Sequence, residues 1–543
     1  MKRFKLFLAM AALACAIGLT VKYGSTYRPV VEPVREIEEI WALEDAREES
    51  EEPLVTRLFC NGVPTAYDAE NNVFYGSLGL ENGAQWPEIK LTASEEAAKG
   101  LSLCFADDYG FDDCDAAIRE GYSYQIFAYT DTAYSYAEVV FTGLPLVNVT
   151  AEQTIEREDV PAQIEIALAA EGLQTNGRIH KRGGASILND KVGYKLEFTR
   201  TTDGKKKIYR EIPGMGTDSQ VILLPMNALD TTMMRDRLSW ALYARLTRWD
   251  EPFSARKTQY CELFLNGEYR GVYLMLEPFS VRQEVAKAGE ERLTTDSVYR
   301  TAVISLSHGR PCMEDPYSAA TGFELYYPMD GEPDFSPLAD YFALLGETDD
   351  AAFMRRAAQI IDLDSALRYD VVLQLFGLTD NVINNMYTWA QNSRGHTRYR
   401  FDFWDLDVSW GLKRDEIGEM HENWVFFPLV DRLLRADEEG GVRKRYGEIY
   451  REVREKAFDT ETVEALVGQY AHELNDSGAM ARNAERWETE NYAADGYELV
   501  AFAAERIALL DEPVRAMSAG EEIDLRFLEK TNYDDKGTPL SEE

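Results

Sequence analysis

The run Tyr399-Arg-Phe-Asp-Phe-Trp-Asp-Leu-Asp-Val408 constrains this chain more than any other. Its aromatic and aliphatic residues alternate with polar ones, the pattern of a largely buried strand. The run delivers two carboxylates, Asp405 and Asp407. Residues i and i+2 of a strand share a face, so the pattern predicts that both acids look into one site while Trp404 and Leu406 pack on the other side. Carboxylates at the end of a buried aromatic strand are costly unless paired or bound to a cation. Upstream, Asp380 is followed five residues later by Asn385. Two acids and an amide so placed are what metal-assisted phosphoryl transfer uses: a base for a hydroxyl proton and oxygen ligands for a divalent cation. Asp380 with Asp405 or Asp407 would also serve as the carboxylate pair of a glycoside hydrolase.

Other segments supply a scaffold. Tyr260 to Leu265, Asn266-Gly267, then Glu268 to Glu277 reads as a two-stranded hairpin on a type I′ turn. Ile179 to Phe198 joins a Gly-rich turn, Arg182-Gly183-Gly-Ala-Ser186, to a strand carrying Lys195, with Lys191 at its mouth. Small residues let backbone N–H groups approach phosphates, and a strand lysine can pair with them. Tyr194 and Leu196 fall on the opposite strand face from Lys195, which favours Lys195 over Lys191 for that role. A helix is expected over 231–247, with several more after Asp340. Residues 54–149 show short alternating runs broken by Asn-Gly, Asp and Gly turns, the pattern of a small all-β, sandwich-like accessory domain.

Composition limits the partners. The 543 residues include 95 Asp and Glu against 57 Lys and Arg, a formal net charge of −38. Such a surface repels nucleic acid and anionic lipid. The N-terminus carries Lys2, Arg3 and Lys5 before an uncharged apolar run from Leu6 to Val21, shorter than the about 20 residues of a spanning helix. Signal peptide, short anchor within residues 1–24, and a lipidated Cys15 remain open alternatives, and each places the rest of the chain outside the cytoplasm. Contact with a membrane is expected only through this segment. Residues 25–53 read as an acidic spacer and 517–543 as an acidic tail. Cys104 and Cys114 bracket an acidic loop and are candidates for a bridge; scattered histidines and the lack of a Cys-x-x-Cys argue against zinc.

Taken in order, five motifs resemble the CotH family of atypical kinases, related to a bacterial spore coat protein. They are Arg182-Gly183-Gly-Ala-Ser186 with Lys191, Tyr194 and Lys195; Leu223-Leu-Pro running into Asp230-Thr-Thr-Met-Met-Arg235; the hairpin Leu265 to Leu274 ending in Glu277; Asp380 with Asn385 and Tyr387; and Trp404-Asp-Leu-Asp407 closing on Gly411. The resemblance spans about 149–516. It implies an α+β chain with a divergent two-lobed protein-kinase-like fold over 150–516, preceded by the small all-β domain. It also implies transfer of the γ-phosphoryl group of ATP to protein hydroxyls with Mg2+ or Mn2+. Asp380 would be the acid-base residue, Asn385 and Asp405 metal ligands, Asp407 a further metal or substrate contact, and Lys195 or Lys191 the phosphate-pairing lysine. Arg182, Gly183 and Glu277 fall in the same nucleotide-binding motifs. The protein substrate would be a surface or coat protein of an exported milieu. Phe403 stands where the family commonly has Pro, and Gly184-Ala185 where it has Asn-Ser. A catalytically inactive binding protein that keeps the fold is the alternative.

Overall fold

The structure is a computed structural model that describes residues 29–32, 35–80, 89–94, 100–106, 114–226, 230–248, 251–301, 322–330, 332–412, 424–425 and 427–521. The apolar N-terminal segment with Cys15, most of the acidic loop before Cys114, Cys312 and most of the acidic tail lie outside the described residues. Among the described residues no helix is long and apolar enough to cross a membrane.

The N-terminal part builds a seven-stranded sheet and a three-stranded sheet around one apolar core that includes Phe74, Leu103, Tyr124, Val139 and Phe141. Val31–Glu32 and Glu48–Glu49, in the segment expected as a spacer, pair with 103–104 and 133–134 of the larger sheet. Short helices at Ile37–Asp45 and Cys114–Arg119 interrupt an otherwise β region. Cys104 and Cys114 are both buried, and no bridge joins them. The reason is that Cys104 packs in a separate small cluster with Ile40 and Phe127, whereas Cys114 belongs to the main core.

A closed barrel follows. Its strands are β1 (Leu146–Thr150), β2 (Val160–Leu168), β3 (Glu171–Arg182), β4 (Gly193–Thr199), β5 (Gln220–Leu224), β6 (Thr258–Leu265) and β7 (Glu268–Leu276), in the order β1-β2-β3-β4-β5-β7-β6. A parallel pairing of β1 with β6 closes it. Period-two alternation sorts the side chains. Ile164, Ile179, Leu196, Phe198, Val221, Leu223, Leu263, Tyr273 and Met275 fill the interior. Ile222, Leu224, Tyr260, Val272, Leu274 and Leu276 face outward, and they are buried too, because they form one wall of a second, larger core. Near-continuous apolar runs in β5 and β7 follow from burial on both faces.

That second core belongs to the helical part. A four-stranded sheet, β8 (Ser297–Thr301), β9 (Phe323–Tyr327), β10 (Met386–Ser393) and β11 (His396–Phe403), runs in the order β9-β8-β10-β11. Around it lie α1 (Arg235–Ala244), α2 (Leu363–Phe376), α3 (Asp380–Ile383), α4 (Gly441–Lys456), α5 (Thr460–Asp476), α6 (Ala479–Trp487) and α7 (Tyr497–Ala519). The expected helix over 231–247 is α1, and the Asn-Gly hairpin is β6–β7 with Asn266 and Gly267 both at positive φ.

α6 returns from the C-terminal part to brace the barrel. Trp487 Nε1 donates to the Arg270 carbonyl (3.1 Å), and Asn483 Oδ1 accepts from the Val272 N–H (3.0 Å). Arg482 forms a two-pronged ion pair with Glu262 on β6 at 2.9 and 2.8 Å. The Glu262 carboxylate is fully buried and also accepts from the Tyr269 hydroxyl (2.6 Å). A buried pair stabilises little by existing, yet breaking it strands a charge. Arg482→Met is therefore expected to cost about 3–5 kcal/mol in urea unfolding. The double variant Glu262→Leu/Arg482→Met should recover most of that loss.

Candidate active site

The loop that carries Asp380 begins where α2 stops. Gly377 adopts a left-handed conformation (φ 66) and caps the helix through the Leu373 carbonyl. A Cβ at Gly377 would meet the Phe502 ring at 2.7 Å, so both backbone angle and packing require glycine there. Asp380 opens α3 and is buried. Its Oδ2 accepts from Asn385 Nδ2 at 2.9 Å. The expected acid and amide are thus in direct contact.

Asn385 joins this loop to the second acidic motif. Its backbone N–H donates to the Thr301 carbonyl (3.1 Å), and its carbonyl accepts from the Trp404 N–H (3.0 Å). Asn381, fully buried, donates from Nδ2 to the Trp404 carbonyl (2.7 Å) and to the Asn385 carbonyl (3.4 Å). The Tyr369 hydroxyl in turn donates to the Asn381 carbonyl (2.6 Å). Asn381 has no distinguishing spacing in the sequence; the Asp380-Asn381 dipeptide is the sole hint.

One expectation needs correction. The strand does not run to Val408: β11 ends at Phe403, and Asp405 has φ 56. Asp405 and Asp407 are consequently placed by an irregular loop and not by strand alternation. Both acids nevertheless act on a third, Asp236 in the first turn of α1, whose carboxyl is pushed well above the usual carboxylate range. Burial is the largest cause of that rise, followed by Asp407 and then Asp405. Asp236 Oδ1 also accepts the Leu406 N–H at 3.2 Å. The sequence reading missed Asp236, which lies about 170 residues from the motif it touches. The nearest signal was its position immediately after the motif ending at Arg235.

The barrel carries the cationic residues expected from the sequence. Lys195 lies on β4 opposite Ile222 of β5, with Tyr194 and Leu196 turned into the barrel, so its side chain leaves on the outer face as alternation requires. Burial, and next the neighbouring Lys207, lower its pKa. Arg182, at the end of β3, places its guanidinium 5.8 Å from the Trp404 ring centroid, beside Asp405 in sequence. Gly183 has φ 127, and a Cβ there would fall 2.4 Å from Ser186 Oγ, so the turn into Ala185–Leu188 needs glycine.

Two other residues are engaged elsewhere. The Lys191 ammonium donates to the Val272 carbonyl (2.6 Å) and to Asn483 Oδ1 (3.0 Å), under the rings of Tyr273 and Trp487. Burial pulls its pKa down to about 7. Lys191 thus braces α6 against the barrel. Glu277 follows β7 directly and accepts from the Lys257 N–H (3.1 Å), with no ion pair to Lys195 among the described residues.

The donors around Asp405 suit a hard divalent cation. Asp405, Asp407 and Asn385 all carry oxygen donors, the type that magnesium and manganese take. Among the described residues no three His, Cys, Asp or Glu side chains form a ready metal cage. Magnesium in phosphoryl-transfer sites commonly uses one or two carboxylates and completes its shell with water and phosphate oxygens, and the pair here fits that pattern.

The family model described as CotH kinase protein matches residues 179–510, more than half of the chain. This chain belongs to the CotH kinase family. The matched span opens on β3 and closes within α7, so it takes in Lys195, Asp236, Asp380, Asn385, Asp405 and Asp407 together. No curated protein matches the chain.

Behind the site, Asp402 of β11 turns toward a cavity of about 320 Å3 lined by Tyr243, Phe253, Arg368, Tyr369 and Arg400, among others. It accepts from the Tyr243 hydroxyl (2.7 Å) and from the Phe403 N–H (2.8 Å). Burial raises its pKa to about 7 despite these donors and nearby Arg256, with Glu284 adding to the rise. The folded state therefore holds a proton that the unfolded chain releases near pH 4, and stability should fall as pH rises from about 4 to about 7. Asp402→Asn keeps an acceptor oxygen without the charge. Its melting curves should match wild type near pH 4 and show a gain of about 2–4 kcal/mol at pH 8.

Proposed function

We propose that this member of the CotH kinase family is an exported, Mg2+- or Mn2+-dependent protein kinase that moves the γ-phosphoryl group of ATP to protein hydroxyls. The observation that carries the reading is the Asp380–Asn385 contact at 2.9 Å, joined through the Trp404 N–H to the loop bearing Asp405 and Asp407. An acid poised for a hydroxyl proton and a carboxylate pair for a cation then lie in one continuous hydrogen-bonded unit. The barrel face with Lys195 and Arg182 adds positive charge where phosphates would lie.

In this reading the acceptor oxygen forms a bond to the γ-phosphorus as the bridging oxygen bond to the β-phosphate breaks, and ADP leaves. Asp380 takes the hydroxyl proton on its carboxylate. Asn385 holds Oδ2 of that carboxylate and so orients the other oxygen. Asp405, Asp407 and Asn385 would hold the divalent ion, which when bound offsets the negative charge of the phosphates. Lys195 is favoured over Lys191 for phosphate pairing, because Lys191 is engaged with Val272 and Asn483. Export rests on the N-terminal sequence, which fits a secreted or membrane-anchored surface protein, and a surface or coat protein is the substrate class it suggests. The alternative, an inactive binding protein, has no observation in its favour.

Labelled ATP with Mg2+ or Mn2+ tests the proposal. Asp380→Ala should lower transfer about 10²–10⁴-fold while nucleotide binding persists, since a base acts on the hydroxyl. Asp405→Ala should abolish transfer and also weaken metal-dependent nucleotide binding. Wild-type transfer rates in Asp405→Ala would refute the ligand assignment. Lys195→Met should weaken nucleotide binding more than Lys191→Met, whose main effect should be on thermal stability.

A further inference from the structure

The first turn of α1 holds the acidic loop at three points. Arg235 Nε donates to the Ser409 carbonyl (3.1 Å), Asp236 Oδ1 accepts the Leu406 N–H (3.2 Å), and Ser239 Oγ accepts from Trp410 Nε1 (2.9 Å). Residues 235, 236 and 239 project from one helical turn, and the groups they grip span Leu406 to Trp410. All three side chains are at least nine-tenths buried. Arg235 is itself fixed by ion pairs to Asp230 and to Glu498 of α7 (2.6 Å). Among the described residues no strand pairs with the loop beyond β11, and Asp405 is at positive φ. Its course therefore depends on what grips its backbone.

We propose that Asp236 is a positioning residue: by accepting the Leu406 N–H it fixes the backbone between Asp405 and Asp407, so that α1 sets where those two carboxylates point. The kinetic consequence rests on the phosphotransfer reading above; the geometric one does not. A carboxylate is not required for this role, since any side-chain oxygen at the same place accepts the same N–H. Asp236→Asn retains that oxygen and Asp236→Ala removes it, leaving a buried amide without a partner.

The test combines two readouts on the full chain. Hydrogen exchange of the peptide spanning 404–411 reports the Leu406 amide directly, with or without activity. Asp236→Ala should exchange there roughly tenfold faster or more, with β-barrel peptides unchanged, while Asp236→Asn stays close to wild type. Transfer from Mg-ATP, measured by autophosphorylation over a Mg2+ titration, should need several-fold more Mg2+ in Asp236→Ala, and Asp236→Asn should restore most of the wild-type response. Exchange in Asp236→Ala equal to wild type would overturn the proposal. So would an Asp236→Asn variant with wild-type exchange that is as inactive as Asp236→Ala, because the carboxylate would then act on the cation itself. A wild-type protein with no transfer would refute the proposed function, while the exchange data would still decide the role of Asp236.

Discussion

The Trp404 N–H bond to the Asn385 carbonyl is the constraint on which the site depends. It extends the β10–β11 hairpin one step past its last pair, Met386 with Phe403, and so fixes two loops against each other. Asp380 and Asp405 are 25 positions apart in the chain; the hairpin returns the second to the first. The geometry needs left-handed backbone at Asn385 (φ 55) and Asp405 (φ 56), which costs most side chains about 1–2 kcal/mol and is tolerated best by Asn and Asp. Residue type and backbone shape therefore coincide at the positions where the chemistry needs an amide and an acid. Asn381 completes the unit by donating to carbonyls on both sides of the junction.

Electrostatics sets the second condition. Asp405 and Asp407 both act on the buried Asp236 carboxyl in a chain whose net charge is already −38. Such a place would repel a bare nucleotide. In the proposed reading, Lys195 and Arg182 of the barrel would offset that charge from one side, and the oxygen donors would take a divalent cation. Burial of both faces of β5 and β7 keeps the two halves in contact, since the outward residues of the barrel are also the wall of the helical core. α6 closes the arrangement through Arg482 and Glu262, so residues late in the chain stabilise the early barrel.

How much of this was legible in the sequence depends on the range of the interaction. Local patterns sufficed for the Asn266-Gly267 hairpin, for α1 and for the outward direction of Lys195, because turn chemistry and period-two alternation are decided by near neighbours. The spacing of Asp380 and Asn385 also carried over, since one short loop spans both. Strand length did not. Alternation continues through Trp404, Leu406 and Val408, but among the described residues no strand pairs with that stretch: β11 ends at Phe403, and past the single Trp404 N–H bond to Asn385 the backbone leaves the ladder. Alternation in the sequence already favours Lys195 over Lys191; what it does not show is that Asn483 on α6, nearly 300 residues later, engages the Lys191 ammonium.

By itself, then, the sequence determined the residue types: the acids, the amide, the strand lysine, the glycines at Gly183 and Gly377, and the family to which their order belongs. The tertiary structure decided which of them meet. It recruited Asp236 and Asn381, assigned Lys191 to bracing, and replaced a strand by a gripped loop. The physical reason is that carboxylate proximity, burial and the satisfaction of backbone N–H groups are set by segments far apart in the chain, and no local pattern encodes the distance between them.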